Sequence, residues 1–158
     1  MEKLQAKASK PDLPETAGGA QDSPYQGVIL VVDDSRMQLI HLVSHLKKAG
    51  YQVFDAADGS KALAVAKQHK PDIILSDYFM PQMDGLELAK SIKSDPELSD
   101  SYFILLTGDE KQEERNHAHN GIVDAVIQKP ISGKDAVARI NSVMKLKRLR
   151  AEMKSLDI

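Results

Sequence analysis

Short, wholly apolar runs alternate along this chain with longer stretches in which apolar residues recur every three or four positions. Val28 to Val32 is continuous, apolar and mostly β-branched, the pattern of a strand buried on both faces. Ser35 can cap the helix that follows, where Leu39, Leu42, Val43 and Leu46 keep a helical period until Gly50 stops it. Tyr51 to Ala56 reads as a second strand, and Asp58 opens a helix carrying Ala62, Leu63, Val65 and Ala66 that ends at Pro71. Asp72 to Ser76 gives a third strand, and Leu86, Leu88, Ala89 and Ile92 give a third helix, closed by Asp95-Pro96. Tyr102 to Leu106 is a fourth strand, Val123 to Ile127 a fifth, and a last helix begins near Gly133. Five strand–helix units in succession predict a doubly wound α/β fold, a five-stranded parallel sheet with right-handed crossovers and helices on both faces.

The pattern also divides the chain. Residues 1–26 are polar and small, with Pro11, Pro14, Pro24 and Gly18-Gly19, and predict a disordered leader. Residues 27–144 make one domain, and 145–158 a helical extension. At 158 residues the chain suits a single domain with tails, and a net charge of -2 does not mark the whole chain as a nucleic-acid binder. The absence of cysteine excludes a disulfide framework and a thiolate metal site. No stretch approaches the roughly 20 apolar residues of a membrane span, and the N-terminus lacks the apolar core of a secretory signal, so a cytoplasmic location is expected.

Chemistry gathers at the strand ends. Asp33 and Asp34 follow the first strand, Asp77 the third, Thr107 the fourth and Lys129 the fifth. Ligands of such sheets collect at the carboxyl ends of the strands, so three acids, a hydroxyl and an ammonium are expected at one rim. Three clustered carboxylates repel unless protonated or neutralised, and a hard divalent cation such as Mg2+ is the obvious remedy. Lysine and threonine beside the metal suit the oxygens of an incoming phosphoryl group, which predicts phosphoryl transfer with one aspartate as nucleophile.

The strings ILVVDDS, LSDYFMPQMDGLEL, LLTG and IQKP, in this order and spacing, closely resemble the receiver (CheY-like) domain of two-component response regulators, over about Gly27 to Met144. The resemblance implies the flavodoxin-like (βα)5 receiver fold. It implies that Asp77 accepts a phosphoryl group from a sensor histidine kinase or histidine phosphotransfer protein. Asp34 would hold Mg2+ directly, Asp33 mainly through water, and the backbone carbonyl of Phe79 would complete the protein ligands around Asp77. Thr107 would hydrogen-bond a phosphoryl oxygen and shift on modification, Lys129 would pair with another, and the Lys129-Pro130 bond would be cis. Such a chain is a signalling switch whose catalysis is limited to its own phosphorylation and dephosphorylation. Its output passes to an effector protein or an output domain. A haloacid-dehalogenase-like enzyme also uses an aspartate nucleophile and magnesium, but wants a second acid where Phe79 stands. A DNA-binding regulator ranks last, because no helix-turn-helix pattern follows.

Other residues admit plainer readings. Asp84 and Gly85 are expected to serve a helix cap and a tight turn rather than the chemistry. His41 and His45 lie one helical turn apart and suit a zinc ion, yet without a third ligand nearby they read as solvated. Phe79, Met80 and Met83 read as loop packing or partner contacts.

Four features bear on readout. Val126 stands where receivers commonly carry an aromatic residue that swings inward on activation. A fourth helix is expected over about Glu110 to Asn120, but this segment holds one apolar residue, Ala118, which reads either as a loosely docked segment that carries coupling from Thr107 or as a short solvated helix stabilised by charge pairs. Phe79 and Asp109 occupy the positions that tune the lifetime of the phosphoaspartate in the family; Asp109 is a group able to orient water and Phe79 is not, and a fairly long-lived adduct is expected. Finally, Ala136, Val137, Ile140, Val143 and Met144 form a core face on the last helix, and Leu146, Leu149, Met153 and Leu156 follow at spacings of three, four and three. This seam, flanked by Lys145, Lys147, Arg148 and Arg150, suits a homodimer through a helix of about 34 Å whose end projects from the domain, or else a frayed basic tail.

Overall fold

In the computed structural model, which describes residues 25–108 and 121–156, the apolar runs become strands and the periodic stretches helices. In chain order these are β1 (Val28–Val32), α1 (Arg36–Lys48), β2 (Gln52–Ala56), α2 (Gly59–His69), β3 (Ile73–Asp77), α3 (Gly85–Ser94), β4 (Tyr102–Thr107), β5 (Ala125–Gln128) and α4 (Gly133–Leu156). The helix expected over Glu110 to Asn120, Asp109 beside it, and the leader through Pro24 lie outside the described residues.

All strand pairs are parallel, in the order β2-β1-β3-β4-β5. The chain starts at β1, steps to the β2 edge, then crosses to β3 on the other side. The reversal point therefore falls between the ends of β1 and β3, where doubly wound sheets bind ligands.

The helices form where their caps predict. Ser35 accepts from the Gln38 amide at 3.3 Å and Asp58 from the Lys61 amide at 2.8 Å. Asp84 and Glu87 make a reciprocal capping box, with bonds of 2.8 and 2.9 Å. Past the end of α1, Gly50 takes a φ of 100°, a conformation that glycine adopts without a Cβ clash.

Successive strand residues face opposite sides, so the sheet divides two cores. Ile29, Val31, Ile73 and Leu75 pack with Leu42 and Leu46 of α1 and with Ile140 and Val143 of α4. Leu30, Val32, Ile74 and Leu105 pack with Leu88 and Ile92 of α3 and with Ala62 and Ala66 of α2. Val126 is partly buried against this second core. Among the described residues no helix is long and apolar enough to cross a membrane.

The core face read for the last helix is present, with Ala136, Ile140, Val143 and Met144 buried. Beyond it the helix runs on to Leu156, with every residue from Arg148 to Leu156 exposed, and its contacts with the domain gather at the start of this extension. Lys147 Nζ donates to the Asp100 carbonyl at 2.7 Å and Arg148 Nη2 to the Gln26 carbonyl at 3.0 Å, while Arg150, Ala151 and Lys154 line a groove with Ser99, Tyr102 and Asp124. Lys147 and Arg148 thus meet carbonyls near the amino ends of the strands, which ties the first turn of the extension to the domain. Burial lowers the Lys147 pKa, and Asp72, Asp100 and Asp124 act against that shift.

Candidate functional site

Each functional side chain is delivered by a strand whose apolar residues fix it in the sheet and whose carboxyl end opens on the rim. Asp33 follows β1, Asp77 ends β3, Thr107 ends β4 and Lys129 follows β5. One carboxylate oxygen from each of Asp33, Asp34 and Asp77 lies within 4.8 Å of the others. Asp33 is 1% exposed, Asp77 and Thr107 are buried, and Asp34 is exposed. Lys129 Nζ reaches Asp77 Oδ1 at 3.0 Å and Asp33 Oδ2 at 3.7 Å. The Lys129 amide donates to the Thr107 carbonyl at 2.7 Å, and Lys129-Pro130 is cis, as expected.

The electrostatics of Asp33 are unbalanced. Its Oδ1 accepts from the Ser35 amide at 2.9 Å, but its buried Oδ2 has no hydrogen-bond partner. Burial raises the Asp33 pKa above the ordinary carboxylate value; the Ser35 amide opposes this, Asp77 adds to it, Lys129 opposes it and Asp34 adds to it. A buried, unpartnered carboxylate oxygen beside two further acids is a donor set that fits a hard divalent cation bound through oxygen. The group could hold a metal.

His41 and His45 do not form a comparable set. His41 is exposed, its ring centroid lies 4.6 Å from that of His45, and His45 Nδ1 is 2.9 Å from the His41 carbonyl. Among the described residues, the three aspartates are the cluster with metal-ligand spacing. Met80 and Met83 pack into the second core, whereas Phe79 stands 55% exposed with its ring edge-on to Tyr78 at 5.1 Å.

Gly85 has a role that its turn-like context hides. Its φ is not positive, so no special backbone conformation requires glycine there. What requires it is proximity: a Cβ would lie 2.4 Å from the Asp77 carbonyl oxygen and 2.6 Å from Leu105 Cδ1. The Gly85 amide donates to the Tyr78 carbonyl at 2.8 Å, so the start of α3 is drawn directly onto the backbone that carries Asp77. Only the spacing of Asp84-Gly85 from Asp77 hinted at this. Gly85→Ala is expected to lose about 1–3 kcal/mol of stability by overpacking, measured by urea denaturation; an unchanged midpoint would show that the loop yields without cost.

Comparisons place this geometry among known proteins. The sequence model of the response regulator receiver domain matches residues 29–141. Protein PilH of Pseudomonas aeruginosa is 30% identical over 116 residues, covering 73% of this chain and 96% of PilH. The phosphate regulon transcriptional regulatory protein PhoB of the same species is 33% identical over 117 residues, covering 74% of this chain but 51% of PhoB. Thus the chain spans nearly all of one relative and about half of the other. The chemotaxis response regulator CheY4 of Vibrio cholerae superposes with a TM-score of 0.68 at 29% identity, covering 73% of this chain and 97% of that one. Its strand-end acids and lysine, its five-stranded parallel sheet and these matches agree: the chain belongs to the response regulator receiver domain family, whose members are phospho-accepting signalling switches.

Proposed function

We propose that Asp77 is the phosphoryl acceptor, charged by a sensor histidine kinase or a histidine phosphotransfer protein. The observation that carries this reading is the Lys129 ammonium, 3.0 Å from Asp77 and 3.7 Å from Asp33. A cation so placed orients the Asp77 carboxylate and can balance charge arriving on a phosphoryl oxygen. Thr107, at the end of the neighbouring strand, is positioned to hydrogen-bond a second phosphoryl oxygen.

Mg2+ is the cation that the rim suits. Asp33, Asp34, Asp77 and the Phe79 backbone carbonyl would hold it, with Asp34 direct and Asp33 mainly through water, and bound there it would neutralise charge on the phosphoryl oxygens. The chain's own part is to present Asp77, hold it through Lys129 and the Gly85 approach, and keep the base of the rim dry.

In this reading the protein is a switch rather than an enzyme acting on other substrates. It works in the cytoplasm, passes its signal from Thr107 towards the segment beyond Asp109, and acts on an effector protein or an output domain. The C-terminal helix offers a surface for a homodimer. Intact-mass measurement after incubation with acetyl phosphate and Mg2+ tests the chemistry: a phosphoryl adduct is expected, and its absence would overturn the assignment.

The exposed Phe79 ring offers no group to orient an attacking water. The adduct is accordingly expected to be long-lived in purified protein, followed by its decay in the same mass measurement. A half-life of seconds would contradict this.

A further inference from the structure

The last three turns of α4 are inverted relative to the first three. At about 100° per residue, the two-residue step from Met144 to Leu146 breaks the core period. It sets the stripe Leu146, Leu149, Met153, Leu156 roughly 160° around the helix from the centre of the buried face. The side turned to the domain carries Lys147, Arg150 and Lys154 instead. The stripe faces outward, with exposures of 37%, 48%, 68% and 85%.

The shape of this stripe says what it takes. Its four residues span an arc of about 80°, narrower than the apolar face of a helix lying on a broad surface. Their 3-4-3 spacing is that of alternating a and d positions, which accept the side chains of another helix.

We propose that the occupant is the same stripe of a second copy of this chain, running antiparallel. This rests on the reading that the C-terminal helix self-associates, and adds its orientation. With Leu146 and Met153 at a and Leu149 and Leu156 at d, the flanking g positions are Lys145 and Glu152 and the flanking e position is Arg150. In a parallel pair each g residue meets the e residue of the next heptad, so Lys145 would face the second copy's Arg150, twice by symmetry. In an antiparallel pair g faces g, and Lys145 faces the second copy's Glu152, twice; one Arg150–Arg150 approach remains on the other flank. Two opposite-sign contacts therefore replace two like-sign ones. Each domain lies on the side of α4 away from its stripe, so antiparallel pairing sets the two domains on opposite outer faces and leaves both Asp77 rims open.

Four side chains per copy make a small interface, so the pair is expected to be weak and concentration-dependent. Because the chain has no cysteine, single-cysteine variants report orientation directly. Leu146→Cys and Leu156→Cys, one carrying a size tag, are mixed, oxidised and run on a non-reducing gel. The mixed disulfide is expected, with little self-cross-linking of either variant alone. Preferential self-cross-linking would overturn the antiparallel arrangement and retain the dimer. No cross-link in any combination, with a monomeric mass by light scattering at high concentration, would overturn both.

Discussion

Asp77→Asn is expected to take up no phosphoryl group from acetyl phosphate and Mg2+ under conditions that modify the wild type completely. The step requires a carboxylate oxygen to attack phosphorus while the bond to the acetate oxygen breaks, leaving an acyl phosphate on the protein and acetate in solution. An amide oxygen carries no charge and no comparable nucleophilicity, so the substitution removes the reaction rather than slowing it. Asparagine is nearly isosteric, and the carbonyl of residue 77, which accepts from Ser76 Oγ at 3.0 Å, is unchanged, so the variant should fold. Two other acids lie within reach, which makes the experiment a test of identity as well as of chemistry. Asp33 is buried with one oxygen tied to the Ser35 amide, and Asp34 is exposed, whereas the Lys129 ammonium lies nearest Asp77. An undiminished adduct in Asp77→Asn would transfer the acceptor role to one of them, and peptide mapping would show which. Circular dichroism on both proteins separates lost chemistry from lost fold.

The sequence carries the sheet and the rim plainly because each rests on a local signal. Strands such as Val28–Val32, buried on both faces, need an unbroken apolar run, and a run that ends in an acid or a lysine at the carboxyl edge names its own site residue. Ser35, Asp58 and Asp84 mark helix starts through bonds made within three residues. What sequence reading missed depends on distance through space. The demand for glycine at position 85 comes from the Asp77 carbonyl and Leu105, which neither periodicity nor turn chemistry reveals. The apolar spacing stays regular on either side of Met144, so periodicity alone identifies the seam of α4 without saying which way it faces. The phase slip of two residues turns it to the opposite face, and on the side toward the domain lie Lys147, bonded to the Asp100 carbonyl, and Arg150 and Lys154, which line a groove with Asp124. The unpartnered oxygen of Asp33 was equally hidden, since the strings around it say that an acid is present but not how dry it is.

Asp33→Asn should reverse sign with magnesium: more stable than the wild type in metal-free buffer at neutral pH, and less responsive when Mg2+ is added. The buried Asp33 carboxylate leaves Oδ2 without a hydrogen bond and lies close to two like charges, with Lys129 at 3.7 Å as partial compensation. Its pKa is raised on folding, chiefly by burial, so the folded chain holds that proton more tightly than the unfolded one. The sign follows from linkage: this group's destabilisation is absent below its unfolded value near 3.8, grows as pH rises through the raised folded pKa, and is fully present above it. Metal-free wild type should therefore lose stability over that interval, and Asp33→Asn should not show this component. A bound cation offsets the same cost. At a Mg2+ concentration one hundred times its dissociation constant, binding to the folded state alone contributes about 2.7 kcal/mol, and loss of the Asp33 charge, which acts on the ion mainly through water, should remove part of it. Urea denaturation of both proteins with and without Mg2+, repeated across pH, reads all three effects. An equal Mg2+ response in the two proteins would exclude Asp33 from the metal site. A metal-free variant less stable than the wild type would show instead that the Lys129 and Ser35 contacts outweigh the desolvation of the carboxylate.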